Sequence, residues 1–204
     1  MKYIFLCILW FFWCFLHSFF TSTKITAWFK NRLADKFRFY RISYNLFSLI
    51  TVLPLLSWQG AIAGPVVIIL SPFLMIFKYA ALILSSIVIA GSFLSFDVKE
   101  FLGIGQVISR TRETQSHAVI SKSGFYGIVR HPMYLGSFIF FTSLMMNAPL
   151  AQFAGYGILA VYMIIGTVRE DRRLARELGE VYRNYQKEVP ILFPKIFVPS
   201  NVNK

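Results

Sequence analysis

Two short polar stretches carry the side chains of this chain that are best suited to bind a ligand or assist a reaction. The first is Arg130-His-Pro-Met-Tyr-Leu-Gly136, preceded by Gly124-Phe-Tyr-Gly127, and the second is Arg169-Glu-Asp-Arg-Arg-Leu174. Each stretch borders a long apolar run, so both lie where a membrane-spanning helix would meet water. We predict that the two stretches close over one ligand at the membrane surface.

The first stretch predicts a helix that begins at Pro132, because proline is favoured at the first helical position. His131 would then lie at the N-cap, beside the positive helix end, which binds carboxylates or phosphates and favours a neutral imidazole. Arg130 adds a fixed charge, and the rings of Tyr126 and Tyr134 attract cations, including a sulfonium. The same residues are equally typical of a capped helix at the membrane interface, with arginine at the headgroups and tyrosine in the aromatic belt.

The second stretch places acidic side chains directly after an apolar run. Glu170 could accept hydrogen bonds from amino or hydroxyl groups of a ligand, and the alternative is a solvated salt-bridge face with Arg173 and its neighbours. The short turn at residues 147–149 makes the flanking apolar runs antiparallel neighbours. We therefore expect His131 and Glu170 to lie close together, although they are 39 residues apart in sequence.

The composition indicates the class of protein. Of the 204 residues, 56% are hydrophobic and only 15% are charged, which is more apolar surface than a water-soluble domain uses. The net charge of +12 does not indicate nucleic-acid binding, because the Lys and Arg residues lie between apolar runs, as in membrane proteins. Cys7 and Cys14 lie in one apolar run and provide neither a disulfide framework nor a metal site.

The apolar runs predict an all-α polytopic membrane protein, a single domain with about five transmembrane helices. The predicted spans are residues 3–20, 42–58, 79–96, 132–147 and 150–168. We interpret residues 59–75 as a re-entrant or interfacial connection, because Lys78 would be costly in the middle of a span. His17 is the one ionisable group of the first span, and its position near the end of the run favours an interfacial or packing role.

The charged tail predicts one more helix after the last span. Leu174, Leu178, Val181 and Tyr185 recur at helical spacing, which is typical of an amphipathic helix. Gly179 interrupts this pattern at some cost to helix stability.

Positive charges predict the orientation of the spans. The connection 21–41 carries six Lys or Arg residues, the connection 97–131 carries five and the tail carries eight, which places 19 of 21 on one side. We therefore expect an external N-terminus and a cytosolic C-terminus in a bacterial inner membrane. No acidic residue lies inside any span, which argues against proton or ion transport.

The two polar stretches together resemble the isoprenylcysteine carboxyl methyltransferase and phospholipid methyltransferase superfamily of integral membrane enzymes. That superfamily carries an Arg-His-Pro-x-Tyr-x-Gly element, here Arg130–Gly136, followed one helical hairpin later by an acidic pair, here Glu170-Asp171. The remaining elements of the pattern are Leu174, Leu178-Gly179, Tyr182-x-x-Tyr185 and Val189-Pro190. The match covers about residues 105–195.

A weaker likeness lies in the earlier spans. His17-Ser18 and Ser92-Phe-Leu-Ser-Phe-Asp97 resemble a bacterial branch that includes a small-thiol S-methyltransferase and a denitrification-associated membrane protein.

The resemblance implies S-adenosyl-L-methionine as the methyl donor, bound in a cytosolic pocket formed by the C-terminal helical hairpin and tail. Residues 1–96 would then form an N-terminal scaffold and residues 97–204 the methyltransferase-like part. The positions that match cofactor contacts of the superfamily are His117, Ala118, Val119, Ile120, Tyr126, His131, Pro132, Met133, Tyr134 and Glu170. The substrate-orienting arginine of the superfamily falls near Gly166, so the candidate catalytic residues are Glu170 with Arg169 or Arg173.

The implied function is methyl transfer to a lipophilic or small acceptor, namely an isoprenylcysteine-like carboxylate, a thiol or a lipid amine. A carboxylate or thiolate needs no base, whereas a neutral thiol or amine would lose its proton to Glu170 or a nearby tyrosine. The alternative is a non-catalytic membrane protein, or a nicotinamide-dependent reductase, that shares the fold. The expected partners are membrane lipids and the methyl acceptor, with no nucleic acid and no metal.

Overall fold

The computed structural model describes residues 1–94, 98–108 and 122–194, and the regular structure in these ranges is helical. The α-helices are α1 (Lys2–Thr21), α2 (Thr23–Leu33), α3 (Tyr40–Ile62), α4 (Pro72–Leu94), α5 (Val98–Leu102), α6 (Ile104–Ile108), α7 (Pro132–Met145), α8 (Leu150–Glu177) and α9 (Glu180–Glu188). Short 3₁₀ turns at Ala34–Phe39 and Gly124–Gly127 precede α3 and α7. The predicted all-α fold is confirmed.

Helix lengths agree with an integral membrane protein. In the part of the chain that the structure describes, four helical stretches are long and apolar enough to cross a membrane: α1, Thr23–Ile62, α4 and α8. The apolar helix α7 has only 14 residues, about 21 Å at 1.5 Å per residue, which is less than the ~30 Å hydrocarbon core. Many apolar side chains point outward, such as Phe11 and Phe15 at 62% and 61% exposure, as expected of a surface that faces lipid.

The predicted connection at residues 59–75 is wrong in its bounds. Helix α3 continues to Ile62 and α4 already begins at Pro72, so the connection is limited to residues 63–71. Lys78 therefore lies inside α4, where its Nζ donates a 2.8 Å hydrogen bond to the carbonyl oxygen of Met146. That carbonyl is at the C-terminal end of α7, where the helix dipole favours a cation, so the lysine charge is stabilised there.

The connection 63–71 also completes the start of α8. The predicted tight turn is confirmed, since α7 ends at Met145 and α8 begins at Leu150. The backbone N–H groups of Leu150 and Ala151 donate to the carbonyl oxygens of Pro65 and Ala63 at 2.8 and 2.9 Å. These bonds satisfy donors that a helix start leaves unpaired, and they fix α7 and α8 as antiparallel neighbours.

A buried cluster holds α1, α3 and α8 together. Its members are Leu6, Trp10, Cys14, Leu55, Ala151 and Leu159. Trp10 Nε1 donates a 2.7 Å hydrogen bond to Gln59 Oε1, and Trp13 Nε1 donates one of 3.1 Å to Thr51 Oγ1, so α1 and α3 are antiparallel. Gly155 of α8 packs against this Trp10–Gln59 pair, and a Cβ atom added at Gly155 would clash with both side chains.

Helix α4 packs on α7 at a point of close approach. A Cβ atom added at Gly136 would lie 2.8 Å from Ile89 Cγ1 and 3.1 Å from the carbonyl oxygen of Ser85. Ser85 and Ser92 of α4 are fully buried, as expected for the small residues that allow membrane helices to approach. The end of α1 and the start of α7 both lie beside the second half of α8, since Ser18 contacts Tyr162 and His131 contacts Asp171.

Candidate functional site

The two polar stretches meet at Asp171. Nε and Nη2 of Arg130 donate to Oδ1 and Oδ2 of Asp171 at 2.9 and 3.1 Å, and His131 Nε2 lies 3.1 Å from Oδ1. The side chains of Arg130 and Asp171 are only 9% and 11% exposed, so this ion pair is largely removed from water. The structure thus joins the two stretches through Asp171, the residue after Glu170.

Helical spacing explains why Asp171 is the acid that points inward. The buried residues of α8 include Ala151, Gly155 and Leu159, and further along Thr167 and Asp171, with spacings of four residues within each set. Residues four apart lie on one face of a helix, so Asp171 continues the buried face. Glu170 is rotated by about 100° from it. This spacing is a sequence signal that identifies Asp171 as the buried member of the acidic pair.

Helix α9 contributes two further partners of Asp171 to which sequence reasoning gave no role. Tyr182 Oη donates to Oδ1 and Gln186 Nε2 donates to Oδ2, both at 2.8 Å. Gly179 allows this arrangement, because it interrupts the predicted tail helix with a φ of +58°, a conformation that glycine adopts without strain. The spacing of Tyr182 and Gln186, one helical turn apart, was the available signal.

Arg130 also binds the segment that follows α9. Its Nη1 donates to the carbonyl oxygens of Gln186 and Val189 at 3.0 and 2.7 Å, and its backbone N–H donates to Pro190 at 2.8 Å. The three nitrogens of this guanidinium therefore all have acceptors within the protein. Arg130 acts as a clamp between α7, α8 and the C-terminal segment, and its charge is neutralised there.

The surroundings of His131 favour its neutral form. Burial lowers the pKa of His131 below the ordinary value of 6.5; the Asp171 carboxylate opposes this shift, and the charge of Arg130 adds to it. Because Nε2 faces a carboxylate, it carries the proton of the neutral ring, which leaves Nδ1 as an acceptor.

The nearby tyrosines are hydrogen-bond donors and poor bases. Burial raises the pKa of Tyr126 and Tyr185 to about 12, and Tyr185 Oη donates to the carbonyl oxygen of Tyr126. Burial, together with its bond to Asp171, also raises the pKa of Tyr182. All three hydroxyls therefore stay protonated near neutral pH.

A second polar set, which we name the Glu170 face, consists of Tyr134, Glu170 and Arg173. Glu170 Oε1 accepts a hydrogen bond from Arg173 Nη2, with side chains 26% and 36% exposed. The ring of Tyr134 packs on Gly166, where an added Cβ would lie 3.0 Å from the ring. Tyr134 is also in edge-to-face contact with His131, with ring centroids 5.8 Å apart. We name Asp171 and its partners Arg130, His131, Tyr182 and Gln186 the Asp171 network. The Glu170 face therefore directly adjoins this network.

The Glu170 face fits a ligand that carries a carboxylate, hydroxyl or amino groups and a cationic centre. Arg173 Nε is buried and has no hydrogen-bond partner among the described residues, since the Glu177 carboxylate is 3.9 Å away. A buried unpaired donor costs about 1–3 kcal/mol, which a ligand carboxylate would recover. Glu170 supplies acceptor oxygens, and the ring of Tyr134 attracts a cation such as a sulfonium.

The remaining predicted site residues divide into three groups. His117, Ala118, Val119 and Ile120 lie outside the described residues, as do residues 95–97 of the weaker resemblance. Pro132 and Met133 form the first turn of α7 beside Tyr134, and Tyr126 lies in the preceding 3₁₀ turn. Arg169 is exposed in the C-terminal part of α8.

Sequence comparison with known proteins identifies a family and several relatives of this chain. The NnrU protein family matches residues 4–195. A methanethiol S-methyltransferase of Pseudomonas sp. is 38% identical over 47% of this chain and 37% of its own length. The enzyme of the same name from Crocosphaera subtropica is 29% identical over 88% of this chain and 70% of its own length.

A third relative, the methanethiol S-methyltransferase of Pseudomonas deceptionensis, is 40% identical over 35% of this chain and 27% of its own length. The alignments with the two Pseudomonas proteins therefore cover well under half of those proteins. No solved structure matches the chain with statistical significance. The resemblance to the membrane methyltransferase superfamily is confirmed by these matches.

Proposed function

This chain belongs to the NnrU protein family, and we propose that it is an integral membrane methyltransferase that transfers a methyl group from S-adenosyl-L-methionine to a small thiol. The observation that carries the proposal is the similarity to the Crocosphaera methanethiol S-methyltransferase over 88% of the chain. The two Pseudomonas relatives bear the same name. A small thiol is thereby favoured over the isoprenylcysteine carboxylate and the lipid amine that the sequence left open.

The Glu170 face supports the donor part of this proposal. S-adenosyl-L-methionine, when bound, supplies an activated methyl group on a positively charged sulfur. Arg173, whose buried Nε has no partner among the described residues, would pair with the donor carboxylate, with Arg169 on the same helix end. Glu170 would accept hydrogen bonds from hydroxyl or amino groups, and Tyr134 would present its ring to the sulfonium.

The Asp171 network holds the Glu170 face in position. It fixes the start of α7, and therefore His131 and Tyr134, against the end of α8 and against α9. A rigid arrangement of this kind holds binding groups in place before the ligand arrives, which lowers the entropic cost of reaching a reactive geometry. We assign Arg130 and Asp171 to this positioning role.

The orientation that we propose puts the Glu170 face on the cytosolic side, with the N-terminus outside. Nineteen of the 21 Lys and Arg residues lie in the connection 21–41, the connection 97–131 and the tail, and such residues are retained in the cytosol. The donor would enter from the cytosol, whereas a small apolar thiol can arrive through the bilayer.

Calorimetric titration of the detergent-purified protein with S-adenosyl-L-methionine tests the proposal. We expect saturable binding, and we expect Glu170→Gln to weaken it by about tenfold, the size of one hydrogen bond to a charged group. Glu180→Gln is the matched control, because Glu180 is exposed on α9 and pairs with Arg183 at 3.5 Å. Absence of binding at millimolar donor would overturn the proposed function, whereas unchanged binding by Glu170→Gln would overturn only the site assignment.

A further inference from the structure

A second polar cluster lies in the transmembrane part of the bundle, where α1, α3 and α8 meet. The Oη atom of Tyr44 lies 3.0 Å from Nδ1 and 2.8 Å from Nε2 of His17, and Ser48 Oγ lies 3.3 Å from Nδ1. On the other side, Ser18 Oγ and Tyr162 Oη are 2.9 Å apart. We name these five residues the His17 cluster. It combines one imidazole with four hydroxyls, none of which the donor pocket uses.

The His17 ring is held in a fixed orientation. It stacks on Trp13 with ring centroids 5.1 Å apart, and it is in edge-to-face contact with Tyr162, with ring centroids 6.1 Å apart. Trp13 is itself fixed by its hydrogen bond to Thr51. An ionisable residue in a membrane span is expensive and most often functional, and the partners of His17 given above are hydroxyls, which do not commit it to a charged state. The cluster therefore presents an oriented imidazole that can accept a proton.

The His17 cluster lies on the same face of α8 as the Glu170 face, to which we assign the methyl donor. Tyr162, Gly166 and Glu170 follow one another at intervals of four residues, so they form one stripe along the helix. Gly166 carries the ring of Tyr134, which places that ring between Tyr162 and Glu170. The eight residues from Tyr162 to Glu170 correspond to about 12 Å along the helix axis, a separation that a donor and a small acceptor can bridge.

We propose that the His17 cluster is the acceptor subsite and that His17, assisted by the Tyr44 hydroxyl, removes the proton of the thiol. This inference rests on the proposed function. The S–H proton passes to the imidazole, directly or through the Tyr44 hydroxyl. The thiolate sulfur then forms a bond to the donor methyl carbon while the carbon–sulfur bond of the donor breaks. The electron pair of that bond remains on the donor sulfur, which leaves as a neutral thioether, and the imidazolium returns its proton to water.

Methylation of a small thiol at neutral pH requires a group that accepts the thiol proton. An alkyl thiol with a pKa like that of cysteine, about 8.5, is mostly protonated at neutral pH, whereas the thiolate is the nucleophile. Glu170 is already engaged in an ion pair with Arg173, and Tyr126 and Tyr185, whose pKa burial raises to about 12, keep their own protons at neutral pH. The rings of Trp13, Tyr44 and Tyr162 also suit sulfur, which makes favourable contacts with aromatic edges.

The pH dependence of the rate with a small alkyl thiol, methanethiol, tests the proposal. For His17→Gln we expect kcat at pH 7 to fall by about 100-fold, within the range for loss of a general base. The loss should shrink by about tenfold per pH unit as the pH approaches the pKa of the thiol, because the solution then supplies the thiolate. Binding of S-adenosyl-L-methionine, measured by calorimetry, should remain as in the wild type.

Two further variants keep the test decisive. Tyr44→Phe retains the ring and removes only the hydroxyl, and we expect a smaller loss with the same recovery at high pH. Thr51→Val is the matched control, since it removes the hydroxyl that fixes Trp13 and should leave the shape of the pH profile unchanged. A loss in His17→Gln and Tyr44→Phe that is equal at every pH, or no loss, would overturn the assignment of His17 as base. A wild type that methylates no thiol would overturn the proposed function itself.

Discussion

The Asp171 carboxylate accepts hydrogen bonds from Arg130, Tyr182 and Gln186 and lies within bonding distance of His131. A carboxylate with this many donors is stabilised in its charged form, and the buried guanidinium beside it depends on that charge. The neighbouring Glu170 carboxylate pairs with Arg173 on the same helix and lies near the carboxylate of Glu177. We therefore propose different roles for the two adjacent acids: Asp171 holds the helices together, and Glu170 faces the ligand.

Substitution of Asp171 by Asn should destabilise the protein strongly. The change leaves the Arg130 guanidinium buried without a counter-charge, and breaking a buried pair in this way costs about 3–5 kcal/mol. The thermal unfolding midpoint of the detergent-solubilised protein measures the effect. Glu180→Gln, which removes an exposed pair, should cost at most about 1 kcal/mol, and equal midpoints for the two variants would contradict this role of Asp171.

The neutral state of His131 predicts how stability depends on pH. Because the pKa of His131 in the folded protein lies below 6.5, the unfolded chain binds a proton first as the pH falls. The contribution of neutral His131 to the free energy of unfolding is therefore fully present above pH 6.5. It is lost as the pH falls from there through the pKa of His131 in the folded protein. Unfolding midpoints between pH 7.5 and 5.0 should fall less in His131→Asn than in the wild type, and parallel curves would contradict the assignment.

At the scale of the helices, the site depends on how closely α7 approaches its neighbours. Gly136 brings α7 against α4, Gly166 admits the ring of Tyr134 against α8, and the turn at 147–149 sets the register of the hairpin. The positions of His131 and Tyr134 therefore follow from small residues elsewhere on α7 and α8, because a bulkier side chain would separate the helices.

Gly136→Ala should weaken the contact between α4 and α7. The added methyl group would lie 2.8 Å from Ile89 and 3.1 Å from the Ser85 carbonyl oxygen, and such overpacking costs about 1–3 kcal/mol. Gly60→Ala in α3 is the control, because nothing lies within 4 Å of its added methyl and alanine favours a helix by about 0.5–1 kcal/mol. Unfolding midpoints that move in the same direction for both variants would contradict the packing argument.

The sequence patterns predicted the helices more accurately than they predicted the polar contacts between helices. The apolar runs and the turn at 147–149 were sufficient to predict the hairpin of α7 and α8, because length and hydropathy determine which segments span a membrane. Lys78 was misplaced because its partner, the Met146 carbonyl oxygen, is 68 residues away. The bond between His17 and Tyr44 likewise joins different helices, so no local spacing reveals it, whereas the buried face of α8 did contain the signal for Asp171.

At the scale of the whole molecule, we propose that the ligand-binding end of the bundle lies in the cytosol and the connection 63–71 outside. Ile69 lies in that connection and is 82% exposed, and Glu180 is exposed on α9. In a background with Cys7 and Cys14 replaced by serine, a membrane-impermeant thiol reagent should label Ile69→Cys in intact cells. It should label Glu180→Cys only after the membrane is permeabilised, and the reverse pattern would contradict the orientation.

The fate of a labelled methyl group tests most directly whether the protein methylates a small thiol. The purified full chain is incubated with methanethiol and S-adenosyl-L-methionine that carries a deuterated methyl group, and volatile products are identified by gas chromatography with mass spectrometry. We expect dimethyl sulfide that contains one deuterated methyl group, formed at a rate that depends on both substrates. Deuterium that appears in lipid or protein but not in a volatile sulfide, or in no product, would contradict this expectation.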